Sequence, residues 1–134
     1  MSERSLLDED YRRLLAFRSE LRRFLSWSEQ TAREAGLTSS LHQLLLVLRG
    51  HLTAPGPTIG EVAEELHIRH HSAVELVQRG EAAGLLRRER DTIDHRRIHL
   101  SLTIHGREQL EVLTREHLQR IPALAATLER VVHP

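Results

Sequence analysis

Residues 85–103, LLRRERDTIDHRRIHLSLT, concentrate the residues best suited to hold an anion. Arg87, Arg88, Arg90, Arg96 and Arg97 stand against only Glu89, Asp91 and Asp94. All 19 fixed cations of the chain are arginine, since lysine is absent. A guanidinium presents a planar fork of donors that fits phosphate or carboxylate bidentately. A second pair, His70 and His71, adds imidazoles, which can donate to a phosphate and gain charge when protonated. Together these groups fit contact with a polyanion. They do not fit catalysis: no nucleophile elbow, glycine-rich phosphate loop or carboxylate pair of recognisable spacing occurs, so an enzyme is not expected.

The bulk composition limits that reading. Acids and fixed bases balance at 19 each across 134 residues, giving a formal net charge of zero. Any attraction to a polyanion must come from local charge distribution. No cysteine is present, which removes disulfides, thiolate metal sites and thiol redox sensing. No apolar run approaches the ~18–20 residues of a membrane span. The start, MSERSLLDEDYRR, lacks the basic-then-apolar pattern of a signal peptide, and the expected location is cytoplasmic. One domain is expected over 1–134.

The elements that would position these groups follow from spacing. Leu7, Tyr11, Leu14, Phe17 or Arg18, Leu21, Phe24 and Leu25 step by three and four, predicting a long helix over 6–35 that stops at Gly36. Thr38 or Ser39 caps a second helix over 40–50, and LTAPGP at 52–57 is a turn-rich break. Thr58 and Glu61 form a capping box for a third helix. After the tight connection His67-Ile68-Arg69, a fourth helix runs over about 70–83 with Ala73, Leu76 and Val77 inward. Two short helices so joined predict a helix-turn-helix. Leu85–Arg90 and the alternating Ile98–Leu102 then predict a hairpin, with His99 and Ser101 on its outer face and a tip at 91–96. A hairpin in that place is a wing. From Thr103 the pattern is helical again, broken at Pro122, with a last short helix over 123–132.

The segment Leu37–Leu110 resembles the MarR family of bacterial transcriptional regulators. The resemblance rests on Leu37-Thr38, Gln43, Thr58–Leu66, Gly84-Leu85, Arg88, Asp94-His95-Arg96, Leu102-Thr103 and Gly106, in that order. It implies a mainly α fold with a small β-hairpin wing: a winged helix-turn-helix lobe over 37–103, plus long N- and C-terminal dimerisation helices over 6–35 and 105–132. It further implies a homodimer, a ligand-relieved repressor, acting on a pseudo-palindromic operator in double-stranded DNA. The fourth helix would enter the major groove and the wing would lie over the minor groove.

On that footing the DNA-contacting residues are expected to be Arg69, His70, His71, Ser72, Val74, Glu75, Gln78 and Arg79 of the fourth helix, with Arg88, Arg90, Asp94, His95, Arg96 and Arg97 of the hairpin. Arg96 would reach the minor groove, where a narrow groove concentrates negative potential. The chain departs from the family at Arg69, where a small polar cap is usual, and at Gly80, where a buried leucine is usual; a soft or shifted recognition helix is expected there. The family's effector crevice makes Phe24, Trp27 and His42 pocket candidates for a small aromatic acid. No cofactor is expected. Two alternatives stay open: a winged-helix protein-interaction module without DNA binding, and a metal-responsive regulator using His67, His70 and His71, or His42, His105 and His117 with acids such as Glu108.

Overall fold

The computed structural model describes residues 3–51 and 54–134. The first two residues of the N-terminal stretch and Leu52-Thr53 of the expected break at 52–57 lie outside the described residues. The elements run α1 (Asp8–Glu34), α2 (Ser39–Gly50), α3 (Ile59–Leu66), α4 (His70–Ala82), β1 (Leu86–Arg90), β2 (Ile98–Leu102) and α5 (Ile104–Val132). No helix among the described residues is long and apolar enough to cross a membrane.

Four of the five helices, α1, α2, α3 and α5, begin where a side chain satisfies a free backbone amide. Asp10 accepts from the Leu7 amide at 2.8 Å and is itself gripped by both guanidinium nitrogens of Arg4. Thr38 rather than Ser39 caps α2, accepting from the Leu41 amide. Thr58 and Glu61 close the reciprocal capping box of α3, and Thr103 caps α5 through the Gly106 amide. The helix-turn-helix bend is made by His67, a non-glycine residue at φ 54°. It is held by Ile68 N–H donating to the Ala63 carbonyl at 3.0 Å. Gly84, at φ 72°, ends α4 and lets the Leu85 amide reach back to the Gly80 carbonyl at 2.9 Å.

α2 lies at the centre and packs against α1, α3, α4, α5 and β2. Its Leu44 and Leu45 are fully buried with Val62, Val77, Leu85, Leu100 and Leu113. Each such side chain stabilises the fold by roughly 1.5–3 kcal/mol relative to exposure. β1 and β2 pair antiparallel, Leu86 opposite Leu102 and Arg90 opposite Ile98.

Three expectations are corrected. Helix α5 does not break at Pro122 but runs unbroken from Ile104 to Val132 with the proline inside it. The ring removes one intrahelical bond, yet α1 lies alongside, antiparallel, and Arg13 donates to the Val131 and Val132 carbonyls beyond the proline. Gly80 does not interrupt or shift α4, which is helical from His70 through Ala82 with Ala73, Leu76 and Val77 inward. The space of a missing side chain is filled from the hairpin and α2, because a Cβ built there would stand 2.7 Å from Leu86 Cδ2 and 3.6 Å from Leu41 Cδ2. His99 does not face outward: only 5 % of it is exposed.

Tyr11, Leu14, Leu15 and Leu25 on α1 and Leu118 and Ile121 on α5 remain exposed. These two helices carry more apolar surface than they bury within one chain.

A candidate nucleic-acid interface

The turn before α4 aims that helix outward. Its buried face, Ala73, Leu76, Val77 and Gly80, fixes the roll of the helix against the core. The opposite face is therefore dictated by the 3.6-residue period. Arg69, His70, His71, Glu75, Gln78 and Arg79 are exposed, and Ser72 and Val74 are half-buried. Arg69 occupies the N-cap and provides no side-chain cap. The first-turn amides of α4 thus keep their donor capacity beside the two histidines. Among the described residues, no side-chain hydrogen bond or ion pair engages Arg69, His70, His71, Glu75, Gln78 or Arg79. This face is uncommitted.

The wing is the reverse. Its tip is a built turn: Asp91 Oδ1 accepts from the Ile93 and Asp94 amides at 2.8 and 3.1 Å. Asp94 Oδ1 in turn accepts from the Arg96 amide and from Arg96 Nε at 3.1 and 3.2 Å. Asp94 thereby shapes the turn that carries Arg96. Arg96 nonetheless projects with its side chain 93 % exposed. The other arginines are mostly paired. Arg88 bonds Glu81 at 3.1 Å, Arg87 lies 3.4 Å from Glu89, and Arg97 lies 3.9 Å from Glu61. Arg90 donates to the His95 carbonyl, bracing the tip from behind. The hairpin is held to the body by Thr103, whose amide donates to the Leu85 carbonyl and whose hydroxyl donates to that of Gly84.

His99 is the buried polar residue that alternation misplaced. Its Nδ1 lies 2.8 Å from the Gly56 carbonyl and its Nε2 lies 2.8 Å from Asp91 Oδ2. The bond to Asp91, then that to Gly56, raises its pKa above the usual imidazole value. Reciprocally, the His99 bond and the two backbone amides hold the Asp91 carboxyl down to about 2. No local signal marks this, because Gly56 lies 43 residues away in sequence.

The three effector candidates do converge, through a fourth residue. His117 of α5 stands edge-on to Phe24, 4.8 Å from the Trp27 ring centroid and 4.8 Å from that of His42. Ser28 Oγ bonds His117 Nε2 at 2.7 Å, and the Arg120 guanidinium lies over Trp27 at 4.7 Å. His42 is buried there, and desolvation, then the nearby His117, lowers its pKa. The adjoining hollow is about 380 Å³, bordered by Trp27, Thr31, Glu116 and Arg120. A larger one of about 740 Å³ opens elsewhere, between α2 and α3, with Leu46, Val47 and Leu66 and the acids Glu61, Glu64 and Glu65 around it. Among the described residues no group of three or more His, Asp or Glu side chains is placed to hold a metal ion. His42 and His117 meet without a third such partner.

Comparison with known proteins places this geometry. The sequence model of the MarR family matches residues 35–97. A search of curated proteins finds no match. The chain is similar to the MepR–DNA complex of Staphylococcus aureus, at 23 % identity over 84 % of this chain and 81 % of that one, with a TM-score of 0.72. It is similar to AbsC, a MarR family transcriptional regulator from Streptomyces coelicolor, at 22 % identity over 96 % of this chain and 82 % of that one, TM-score 0.68. It is also similar to the MarR family transcription regulator SP03579, at 20 % identity over 89 % and 77 %, TM-score 0.77. At these identities the structural likeness establishes the winged-helix fold with long terminal helices.

Proposed function

From the match of the MarR family model to residues 35–97, we propose that this chain is a DNA-binding transcription regulator that works as a homodimer on a two-fold site. The observation that carries the reading is the pairing of an uncommitted α4 face with a projecting Arg96 on a braced wing. The helix face would read base edges in the major groove, with Gln78 suited to a bidentate contact on adenine. Arg96 would enter the minor groove, and Arg69, His70 and His71 would position the helix on phosphates. The second copy would cover the apolar faces of α1 and α5, and a two-fold dimer matches two half-sites one helical turn apart.

The regulator is further proposed to act in the cytoplasm as a repressor released by a small aromatic acid. Such an acid would stack against Trp27 and pair its carboxylate with Arg120, at the seam where α1, α2 and α5 meet. Binding there relieves repression only if it favours a lobe spacing that DNA does not. Titration with a panel of aromatic acids should quench Trp27 fluorescence and weaken DNA binding in parallel; acids that leave both signals unchanged would make the seam purely structural.

A second reading is favoured by one observation, the pairing of most wing arginines with acids on a neutral chain. In that reading the lobe is a protein-interaction module. Binding of the purified protein to random-sequence duplex across a salt series separates the two. Phosphate neutralisation gives a log–log slope of about −0.9 per contact. A flat response would remove the DNA-binding reading.

A further inference from the structure

The loop before α3 and the wing are bound together more closely than a hairpin requires. The Leu100 amide donates to the Pro57 carbonyl at 2.8 Å, outside the β1–β2 ladder. Gly56 presses on the same strand, since a Cβ built on it would stand 2.5 Å from the Leu100 carbonyl oxygen. Between these two contacts sits the imidazole of His99, buried, with an acceptor at each nitrogen. A carbonyl oxygen only accepts, so Nδ1 must carry a proton. An ionised carboxylate also only accepts, so Nε2 must carry one too. Asp91 is the wrong group to hold the proton instead: its other oxygen already accepts two backbone amides, which favours the carboxylate.

We infer that His99 is a positioning residue for the wing: a buried, doubly protonated imidazole that clamps the Asp91 turn to the Gly56 carbonyl, so that DNA binding weakens when the ring loses a proton. This rests on the DNA-binding reading above. The link to DNA is short. Asp91 shapes the turn through Ile93 and Asp94, and Asp94 orients Arg96. Loss of the proton leaves Nε2 as a lone pair facing a carboxylate, and the turn is released from the body.

The charged groups around the ring are few. Asp91 favours the imidazolium and Arg97 opposes it. Glu89 lies opposite His99 in the strand register. On α3, Glu61 pairs with Arg97 and also feels His51. The described loop residues 54–57 bear no ionisable side chain. The sign follows from the raised pKa: the clamp is whole below the ordinary imidazole value and is lost as pH rises through the folded value.

The test uses the full chain. In the free protein, imidazole ¹⁵N shifts should show both His99 nitrogens protonated beyond the ordinary imidazole midpoint, with a midpoint that falls in Asp91→Asn. That variant keeps an oxygen for the two turn amides. Wild-type affinity for duplex should drop on the order of tenfold between pH 6.5 and 9, as the ordered wing becomes a minor fraction. His99→Gln should bind weakly and lose most of the drop, whereas a His70→Gln, His71→Gln double variant should bind more weakly overall yet keep most of it. A ring that is neutral at pH 6.5, or a His99→Gln protein with the wild-type profile, overturns the clamp. Should His99→Gln fail to fold, the lowered midpoint and lowered onset of the drop in Asp91→Asn decide the matter. If the protein binds no duplex at any pH, the DNA-binding reading fails, and the ¹⁵N titration still judges the clamp alone.

Discussion

Replacing Gly106 by alanine should cost about 2 kcal/mol of stability, and the reason can be worked from one contact. Gly106 lies in the first turn of α5, against the strand that begins the wing. A Cβ built there would lie 2.0 Å from the Leu85 carbonyl oxygen and 3.0 Å from its carbon. Such contacts essentially do not occur below 3.0 Å, so the helix and strand must part by at least about 1 Å. Neither side yields cheaply. The Leu85 carbonyl is fixed by the Thr103 amide at 3.1 Å, and Thr103 caps the same helix turn. Overpacking of this kind costs about 3 kcal/mol at its upper end. Alanine returns up to about 1 kcal/mol through helix propensity. Two other glycines give the scale. At Gly80 the obstacle is a Leu86 methyl at 2.7 Å, the end of a side chain that can turn, so Gly80→Ala should fall within about 1 kcal/mol of wild type. At Gly50 nothing lies within 4 Å, and alanine should be neutral or stabilising by about 0.5–1 kcal/mol. Urea melts at one fixed protein concentration, which holds any association constant, would rank the three. A Gly106→Ala protein as stable as Gly50→Ala would refute the reasoning.

Arg96→Ala should weaken binding to every duplex by about 1–3 kcal/mol, whereas Gln78→Ala should alter preference among sequences; parallel titrations on a panel of half-site variants would show it, and unchanged affinity of Arg96→Ala at low salt would count against the wing contact. Leu14→Glu combined with Leu118→Glu should give a monomer by light scattering at micromolar concentration, because the charges would face the surface proposed to be covered by the second copy; a dimer that survives both changes must use another face. Stability should decline as pH falls below about 6.5, since the lowered pKa of His42 makes the unfolded chain the better proton binder. His42→Gln should flatten that decline in thermal melts followed from pH 7.5 to 5, and an equal acid sensitivity in the variant would assign it elsewhere.

Much of the architecture was legible because its signals are local. Thr58 and Glu61 are three residues apart, the Thr103 cap precedes its helix directly, and the glycines at 36 and 84 mark real ends. Of the candidate interface, the outward face of α4 followed from its buried face, and the projection of Arg96 followed from a short tip. The errors arose where a distant segment decided the outcome. His99 alternates with Leu100 as an outer residue would, and only the loop at 56–57 turns its face into an interior. Gly80 reads as a defect until Leu86 and Leu41 are seen to occupy the space. Pro122 reads as a break until α1 is found supporting α5 on both sides of it. The Arg88–Glu81 and Arg97–Glu61 pairs join different elements, so no spacing rule could supply them. His117 reached the aromatic seam from the far end of the chain.

The pairing of wing arginines with acids changes what capture of DNA means for this chain. Arg87, Arg88, Arg96 and Arg97 each face a carboxylate before any duplex arrives. Taking hold of a phosphate is then an exchange of one anion for another, and the acids act as built-in competitors. Such competition weighs most on indiscriminate binding, where backbone charge supplies nearly the whole affinity. It weighs least on a site that also engages the α4 face. A regulator of this kind would spend little time parked on bulk genome and would find its site by repeated brief encounters rather than by long slides. Few molecules per cell would then suffice to keep an operator occupied, because few would be lost to the competing sequence around it.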